Sequence, residues 1–383
     1  MKLALVRQRY TPFGGAERFM DRAIQALGNE ADITVLAREW RGEAAGYRFV
    51  ECNPPHRSNV QRERGFIEAV RVALAAGSFD LVQSHERMVP EGLTAPFLYR
   101  AGDGVHATWL RERARAQGML GRLRNAVNPY HRFMMALERD MFTHPNLSGV
   151  ICNSRMVRDD IATRFAVPDA KLHVIHNGVD LDKYHPRLRD IAHEKRLETL
   201  GGSGFPTDIP LLLYVGSGFE RKGVKQLLQA FAHARPSANL VIVGADKHAP
   251  RYARLAARLG INKQVRFAGA VPDVTPWYGA ADALLLPTLY DPMPNAALEA
   301  LACGLPVLTS SACGAAGFIT EGVNGYVCDA LDIDGMAQAI TRLADPARTA
   351  PMRAPARASV EHLSLDAMAQ QLLALYRRLV PHG

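Results

Sequence analysis

At 383 residues, with 48% hydrophobic and 22% charged residues, the chain suits two soluble globular domains, each able to bury its own core. No run approaches the ~20 apolar residues of a membrane-spanning helix, and Arg7 and Arg9 interrupt the apolar stretch that a secretory leader would need. The cysteines at 52, 152, 303, 313 and 328 form no C-x-x-C pair, which argues against a zinc site or disulfide frame and for a reducing compartment. The net charge of +8 suits an anionic partner, yet no zinc-finger, helix-turn-helix or RNA-binding aromatic motif directs it to nucleic acid.

Lys2 to Val6 reads as a short buried strand, followed by Tyr10-Thr-Pro-Phe-Gly14-Gly15 and a helix with apolar Phe19, Met20, Ala23, Ile24 and Leu27. Paired glycines at such a turn let backbone approach a ligand closely, although a plain tight turn explains them equally well. Ile33 to Leu36 and Phe79 to Val82 are further strands, and strands alternating with helical patterns predict a doubly wound parallel sheet. Ala101-Gly-Asp103-Gly-Val-His106 is polar and Gly-flanked, as a loop at a sheet edge is. From Trp109 to Arg139 the chain carries arginine at 111, 113, 115, 122, 124, 132 and 139, opposed by Glu112 and Glu138 alone. Apolar Trp109, Leu110, Met119, Leu120, Leu123 and Val127 are interleaved. The pattern fits a surface lying on an anionic membrane, and equally a solvated basic helix whose apolar face packs into its own domain. Val150 to Ser154 is another strand entering a helix, and His176-Asn177-Gly178-Val179-Asp180 closes a first domain at about residue 180. Residues 181–209, charged and then Gly-rich, read as linker.

A second domain, 210–364, opens on the apolar run Leu211 to Val215, a turn with Gly216, Ser217 and Gly218, the cations Arg221 and Lys222, and then a helix. Asn239 to Gly244 and Val265 to Gly269 are the next strands, the latter turning at Ala270 and Val271. Leu284 to Leu286 then leads through a loop to Pro294, placed as the first residue of a helix that stops at Gly304. That helix N-terminus points at the C-terminal edge of the sheet, where open α/β sheets bind ligands and where an anion is favoured. Asp291 lies in the loop and Glu299 one turn into the helix, with seven residues between them. An ordinary βα unit with two surface carboxylates would show the same spacing. The last helix is predicted over Leu365 to Leu379.

The Asp291–Glu299 pair resembles the E-x7-E signature of retaining glycosyltransferases with the two-domain GT-B fold, family 4. The Gly-Ser-x-Phe-x-Arg-Lys-Gly turn and the Tyr-x-Pro-Phe-Gly-Gly opening are most similar to bacterial lipopolysaccharide core α-glucosyltransferases. The resemblance implies two Rossmann-like domains facing a cleft, with residues 365–383 crossing back onto the first. It implies that Glu299 accepts the ribose hydroxyls of a nucleotide-sugar and that Arg221 and Lys222 bind its diphosphate. Gly15, Val271, Asn295, Ala296 and Ala297 would complete the donor site. Asp291, Asp103 and His106 are the catalytic candidates, Asp103 and His106 being alternatives for one role. Asp291 departs from the usual Glu, shortening the reach by roughly 1.5 Å, and a misplacement near 1 Å can cost about 100-fold in rate. No cofactor or metal is expected, the substrates being a UDP-sugar and a lipid-linked saccharide met at the inner face of the cytoplasmic membrane. A phosphorylase or synthase acting on a soluble acceptor, and a non-catalytic nucleotide-sugar-binding protein, are the other readings.

Overall fold

The computed structural model describes residues 1–10, 31–40, 46–190 and 209–380, the side chains of Tyr10 and Leu120 excepted. They fall into two compact units, Met1–Gly178 with Leu365–Gly383, and Val179–Ser364. The first contains β1 (Lys2–Val6), β2 (Arg9–Tyr10), β3 (Asp32–Ala37), β4 (Glu39–Trp40), β5 (Arg48–Glu51), β6 (Leu81–Ser84), β7 (Phe97–Arg100), β8 (Leu147–Cys152) and β9 (Leu172–Val174). Its helices include α1 (Asn59–Ala75), α2 (His106–Val127), α3 (Pro129–Phe142) and α4 (Arg155–Phe165). The second unit contains β10 (Leu211–Val215), β11 (Asn239–Val243), β12 (Val265–Gly269), β13 (Ala283–Leu286), β14 (Val307–Ser310) and β15 (Gly325–Cys328). Around them lie α5 (Val224–Ala234), α6 (Ala249–Arg258), α7 (Thr275–Ala280), α8 (Asn295–Ala302), α9 (Ile333–Leu343), α10 (Pro346–Thr349) and α11 (Arg353–Ala358).

Both main sheets are parallel. The first runs β5-β3-β1-β6-β7-β8-β9 and the second β12-β11-β10-β13-β14-β15. A parallel sheet needs cover on both faces, and the sequence supplies apolar side chains for both: every residue of β10 and β13 is buried. In each sheet the strand order reverses beside its first strand, between β1 and β6 and between β10 and β13. The loops leaving those strands open at such a switch point, where doubly wound sheets bind ligands.

The domain boundary differs from the sequence reading. Val179 to Asp190 pack with the second unit and do not form a free linker. Tyr184 is buried in the second core, and Arg189 reaches Asp282 at 2.9 Å. Charged residues there read as solvated linker because their partner lies far along the chain. Residues 191–208, the rest of the expected linker, lie outside the described residues. The Val179 N–H donates to Leu363 O at 2.8 Å, pairing the two segments that leave the second unit.

After Ser364, α12 (Leu365–Leu379) returns to the first unit. Met368, Leu372, Leu375 and Tyr376 share one face at helical spacing and are buried against Leu3, Leu5, Ile33, Val35 and Leu81. Tyr376 Oη donates to Gln83 Oε1 at 2.6 Å in the interior, and Gln83 Nε2 meets His85 Nε2 at 2.9 Å. Tyr376→Phe keeps the ring but leaves the Gln83 oxygen without that donor, a change expected to cost about 1–3 kcal/mol. Urea unfolding should show that loss with an unchanged slope; an unaltered midpoint would show that the bond contributes nothing to holding α12.

Candidate active site

At the second switch point the turn after β10 is packed onto the loop after β13. Gly223 has φ 74°, and a Cβ there would lie 1.9 Å from Pro287 O, so only glycine lets the two segments meet. Arg221 O accepts from the Leu289 N–H at 2.8 Å and from Thr288 Oγ1 at 3.0 Å. The Phe219 N–H donates to Asp246 Oδ2 at 2.9 Å, and the Phe219 ring is fully buried edge-on to Tyr214 and Tyr252. Backbone bonds and packing thus fix where the Arg221-Lys222 pair points.

Both cations converge on one atom. Arg221 Nη2 lies 3.6 Å and Lys222 Nζ 3.7 Å from Asp291 Oδ2. That oxygen is buried and makes no hydrogen bond. Asp291 is itself fixed by backbone: its N–H donates to Ala312 O at 3.1 Å and its carbonyl accepts from the Gly314 N–H at 2.9 Å. Lys222 lies across Gly216, where a Cβ would sit 2.8 Å from its Nζ. Tyr214 lies buried beneath, its hydroxyl without a hydrogen-bond partner; burial pushes its pKa well up, Arg221 opposing and Asp291 adding to the shift.

Pro294 caps α8 with ψ 120° and is not its first helical residue, so the helix opens one residue later than the sequence suggested, at Asn295. Asn295, Ala296 and Ala297 form its first turn, where backbone N–H groups and the helix dipole favour an anion. Glu299 follows, 4% exposed, its Oε2 accepting from Tyr278 Oη at 2.9 Å. Burial, with the Glu299 charge next, pushes the Tyr278 pKa well up, so the phenol remains a donor. Neither Asp291, at 5% exposure, nor Glu299 is a solvated surface carboxylate, so the plain βα-unit reading fails on burial. Val271, half-buried, lies just beyond the C-terminal end of β12, on the same sheet edge. Tyr278 was not legible as a site residue, since an aromatic in α7 reads as core.

In the first unit the loop after β7 is clamped at both ends. Arg87 Nε donates to Glu138 Oε1 at 2.7 Å and Arg87 Nη2 to Gly104 O at 2.8 Å. The same Glu138 oxygen accepts from the His106 N–H at 2.7 Å. Asn153 Nδ2 donates to Gly102 O at 3.2 Å, and Gly102 leaves room for Arg100, whose Nη1 a Cβ would approach to 2.5 Å. Asp103 stands exposed between Gly102 and Gly104. His106 begins α2, and its Nε2 lies 3.0 Å from His131 Nδ1 on α3. Burial, with Arg87 and His131 adding, pushes its pKa down to about 3, so the ring is neutral at physiological pH. Glu86, next to this loop in charge, pairs with Arg7 at 3.4 Å, and burial raises its pKa. Sequence reading missed Arg87, Glu138, Asn153 and Glu86. Gly15 lies outside the described residues. Among the described residues, no three His, Cys, Asp or Glu side chains are grouped to hold a metal ion.

Comparison with known proteins agrees with this layout. Residues 13–183 match Glycosyltransferase Family 4, and residues 196–355 match Glycosyl transferases group 1. The chain is 28% identical over 338 residues to the lipopolysaccharide glucosyltransferase WaaG of Escherichia coli, covering 85% of each. It is 26% identical over 375 residues to a GDP-mannose-dependent alpha-(1-6)-phosphatidylinositol monomannoside mannosyltransferase of Mycolicibacterium smegmatis, covering 92% of this chain and 91% of the relative. The crystal structure of WaaG superposes with a TM-score of 0.81 at 24% identity, covering 98% of this chain and 99% of that one. Anabaena HepE in complex with UDP-glucose superposes with a TM-score of 0.71 at 20% identity, covering 98% of this chain and 99% of that one. With two parallel α/β units and both domain matches in series, the chain belongs to the family 4 glycosyltransferases of the GT-B fold.

Proposed function

We propose that this glycosyltransferase is a retaining hexosyltransferase that takes its sugar from a UDP-sugar and places it on a lipid-linked saccharide such as lipopolysaccharide core. The observation that carries the reading is the convergence of Arg221 and Lys222 on the buried Asp291 oxygen at the switch point. A diphosphate leaving the sugar gathers negative charge, and preorganised cations stabilise it most where charge develops. Arg221 grips two oxygens and Lys222 acts as a point charge. The first turn of α8 faces the same anion, and the Asp291 carboxylate, released from the cations, turns to the sugar. Glu299, its rotamer fixed by Tyr278, accepts the ribose hydroxyls. Val271 borders the base. Similarity to WaaG supports a lipopolysaccharide acceptor, the mannosyltransferase supports a lipid-borne one, and HepE with UDP-glucose supports the donor class.

Retention follows if the acceptor hydroxyl attacks from the face that diphosphate leaves, the departing phosphate oxygen taking its proton. Asp103 orients that hydroxyl and offsets positive charge on the sugar ring. His106, neutral and engaged with His131, supports the loop.

The acceptor is met at the inner face of the cytoplasmic membrane. Gly118, at φ 71° and ψ −162°, breaks α2. Before the break Leu110 and Ala114 are buried; after it Met119, Leu123 and Val127 follow at i, i+4 and i+8, at 85%, 64% and 63% exposure. Flanked by Arg115, Arg122 and Arg124, this stripe has the make-up of a surface that lies on anionic lipid. No described helix is long and apolar enough to cross a membrane.

Glu299→Gln removes a charge-assisted bond of about 1.5–3 kcal/mol, so UDP affinity should fall roughly tenfold or more with the fold intact. Unchanged affinity by titration calorimetry would remove Glu299 from the donor site.

Asp103→Asn keeps the turn-capping ability but loses the charge, and kcat should fall about 100-fold with donor affinity unchanged. His106→Gln should cost far less and leave the kcat–pH profile between pH 5 and 8 unaltered, because the ring does not titrate there. The reverse ranking would move the catalytic role to the histidine.

A further inference from the structure

Where α2 breaks at Gly118, its two arms and Met135 of α3 line an open groove of about 670 Å3 that no part of the donor or loop site uses. Leu110, Ala114 and Met135 give it apolar walls, while Arg115, Arg122 and Asn125 add polar ones. Its volume falls within the roughly 300–1,000 Å3 of pockets that bury one small ligand. It is far too small for a patch of bilayer and much larger than a free phosphate needs.

Asn125 is 6% exposed, and its Nδ2 is buried without a hydrogen-bond partner. Most buried polar groups are paired, so a donor held in this state calls for a ligand that brings a lone pair. An alkyl chain alone would leave it unmet, whereas an ester carbonyl or a phosphate oxygen would satisfy it. The rim is cationic: Glu112 Oε1 accepts from Arg111 Nε at 2.9 Å and Glu112 Oε2 from Arg115 Nη1 at 2.7 Å. One carboxylate thus orders two guanidiniums, and Arg122 adds a third at the same groove. Apolar walls, a buried donor and a cationic rim together describe an amphiphile with an anionic head.

We infer that this groove takes one acyl chain of an anionic phospholipid, with an ester or phosphate oxygen on Asn125 and the headgroup on Arg115 and Arg122. The inference deepens the membrane reading of the 109–139 stretch, on which it rests for the source of its ligand. It turns a diffuse surface attraction, screened over about 8 Å at physiological salt, into a site of fixed stoichiometry.

The test titrates the full chain with dihexanoyl phosphatidylglycerol below its critical micelle concentration, and in parallel with dihexanoyl phosphatidylcholine and with glycerol phosphate. Saturable one-to-one binding is expected for the anionic lipid, roughly tenfold or more tighter than for either control. Asn125→Leu removes the donor, and Ala126→Trp fills the groove from an exposed lining position where the fold tolerates bulk. Each should weaken monomer binding about tenfold, while phosphatidylglycerol vesicles still bind through the Met119-Leu123-Val127 stripe. Vesicle binding without saturable monomer binding would overturn the groove site and leave the surface reading standing. Loss of both in the parent protein would overturn both. Equal binding of glycerol phosphate or phosphatidylcholine, or an unaffected Ala126→Trp variant, would overturn the lipid assignment.

Discussion

A carboxylate oxygen buried without a hydrogen bond, faced by two cations at 3.6 and 3.7 Å, is the arrangement on which the second unit's site depends. Removing an ion from water costs several kcal/mol, and an ion pair repays it only with good geometry. Here the geometry is loose, and the charges are held in place by backbone. Leu289 and Thr288 hold the carbonyl of Arg221, Gly223 lets the turn press on Pro287, and residues 312–314 hold Asp291 on both sides. A looser pair exchanges partners more readily. In the proposed role a diphosphate, which carries more charge than a carboxylate, would compete for the same cations, and a loose pair would keep them ordered while leaving them available. The shorter Asp in place of Glu suits that state, since it lets the carboxylate sit back against the cations.

The first unit solves a different problem, holding a polar loop still at a sheet edge. Arg87 and Glu138 bond both the Gly104 carbonyl and the His106 N–H, so an ion pair takes the place of missing ladder bonds. Asp103 is left outward between two glycines. The Asp103 loop thus follows β7, one strand beyond the reversal in the first sheet, whereas the Arg221–Asp291 cluster follows β10 and β13, at the reversal in the second.

Much of this was legible in the sequence. Apolar runs at 2–6, 211–215 and 284–286 are strands because a parallel sheet buries both faces, and the 365–379 helix follows from its 3.6-residue stripe. Arg221, Lys222, Asp291 and Glu299 were singled out by short motifs that resemble the family's, spacing alone leaving the carboxylate pair open to a plain βα-unit reading. What stayed hidden depends on contacts between distant residues. Glu138 lies 51 positions from Arg87, and Asp282 lies 93 from Arg189, the latter pair drawing part of the expected linker into the second unit. Tyr278 carries no signal separating a core ring from one that orients a carboxylate. In the arginine-rich stretch a single helical pattern was expected, and the break at Gly118 sorts its apolar residues into a buried set and an exposed one.

The central claim is that Arg221 and Lys222 hold a nucleoside diphosphate rather than merely pairing with Asp291. Titration calorimetry of UDP and of uridine against the parent and Lys222→Ala, with Asp291→Asn as the control that leaves both cations in place, tests it most directly. Removing one charge-assisted contact should weaken UDP roughly tenfold or more, with uridine affinity unchanged and Asp291→Asn binding UDP at least as tightly as the parent. UDP affinity indifferent to Lys222, or uridine weakened as much as UDP, would contradict the account.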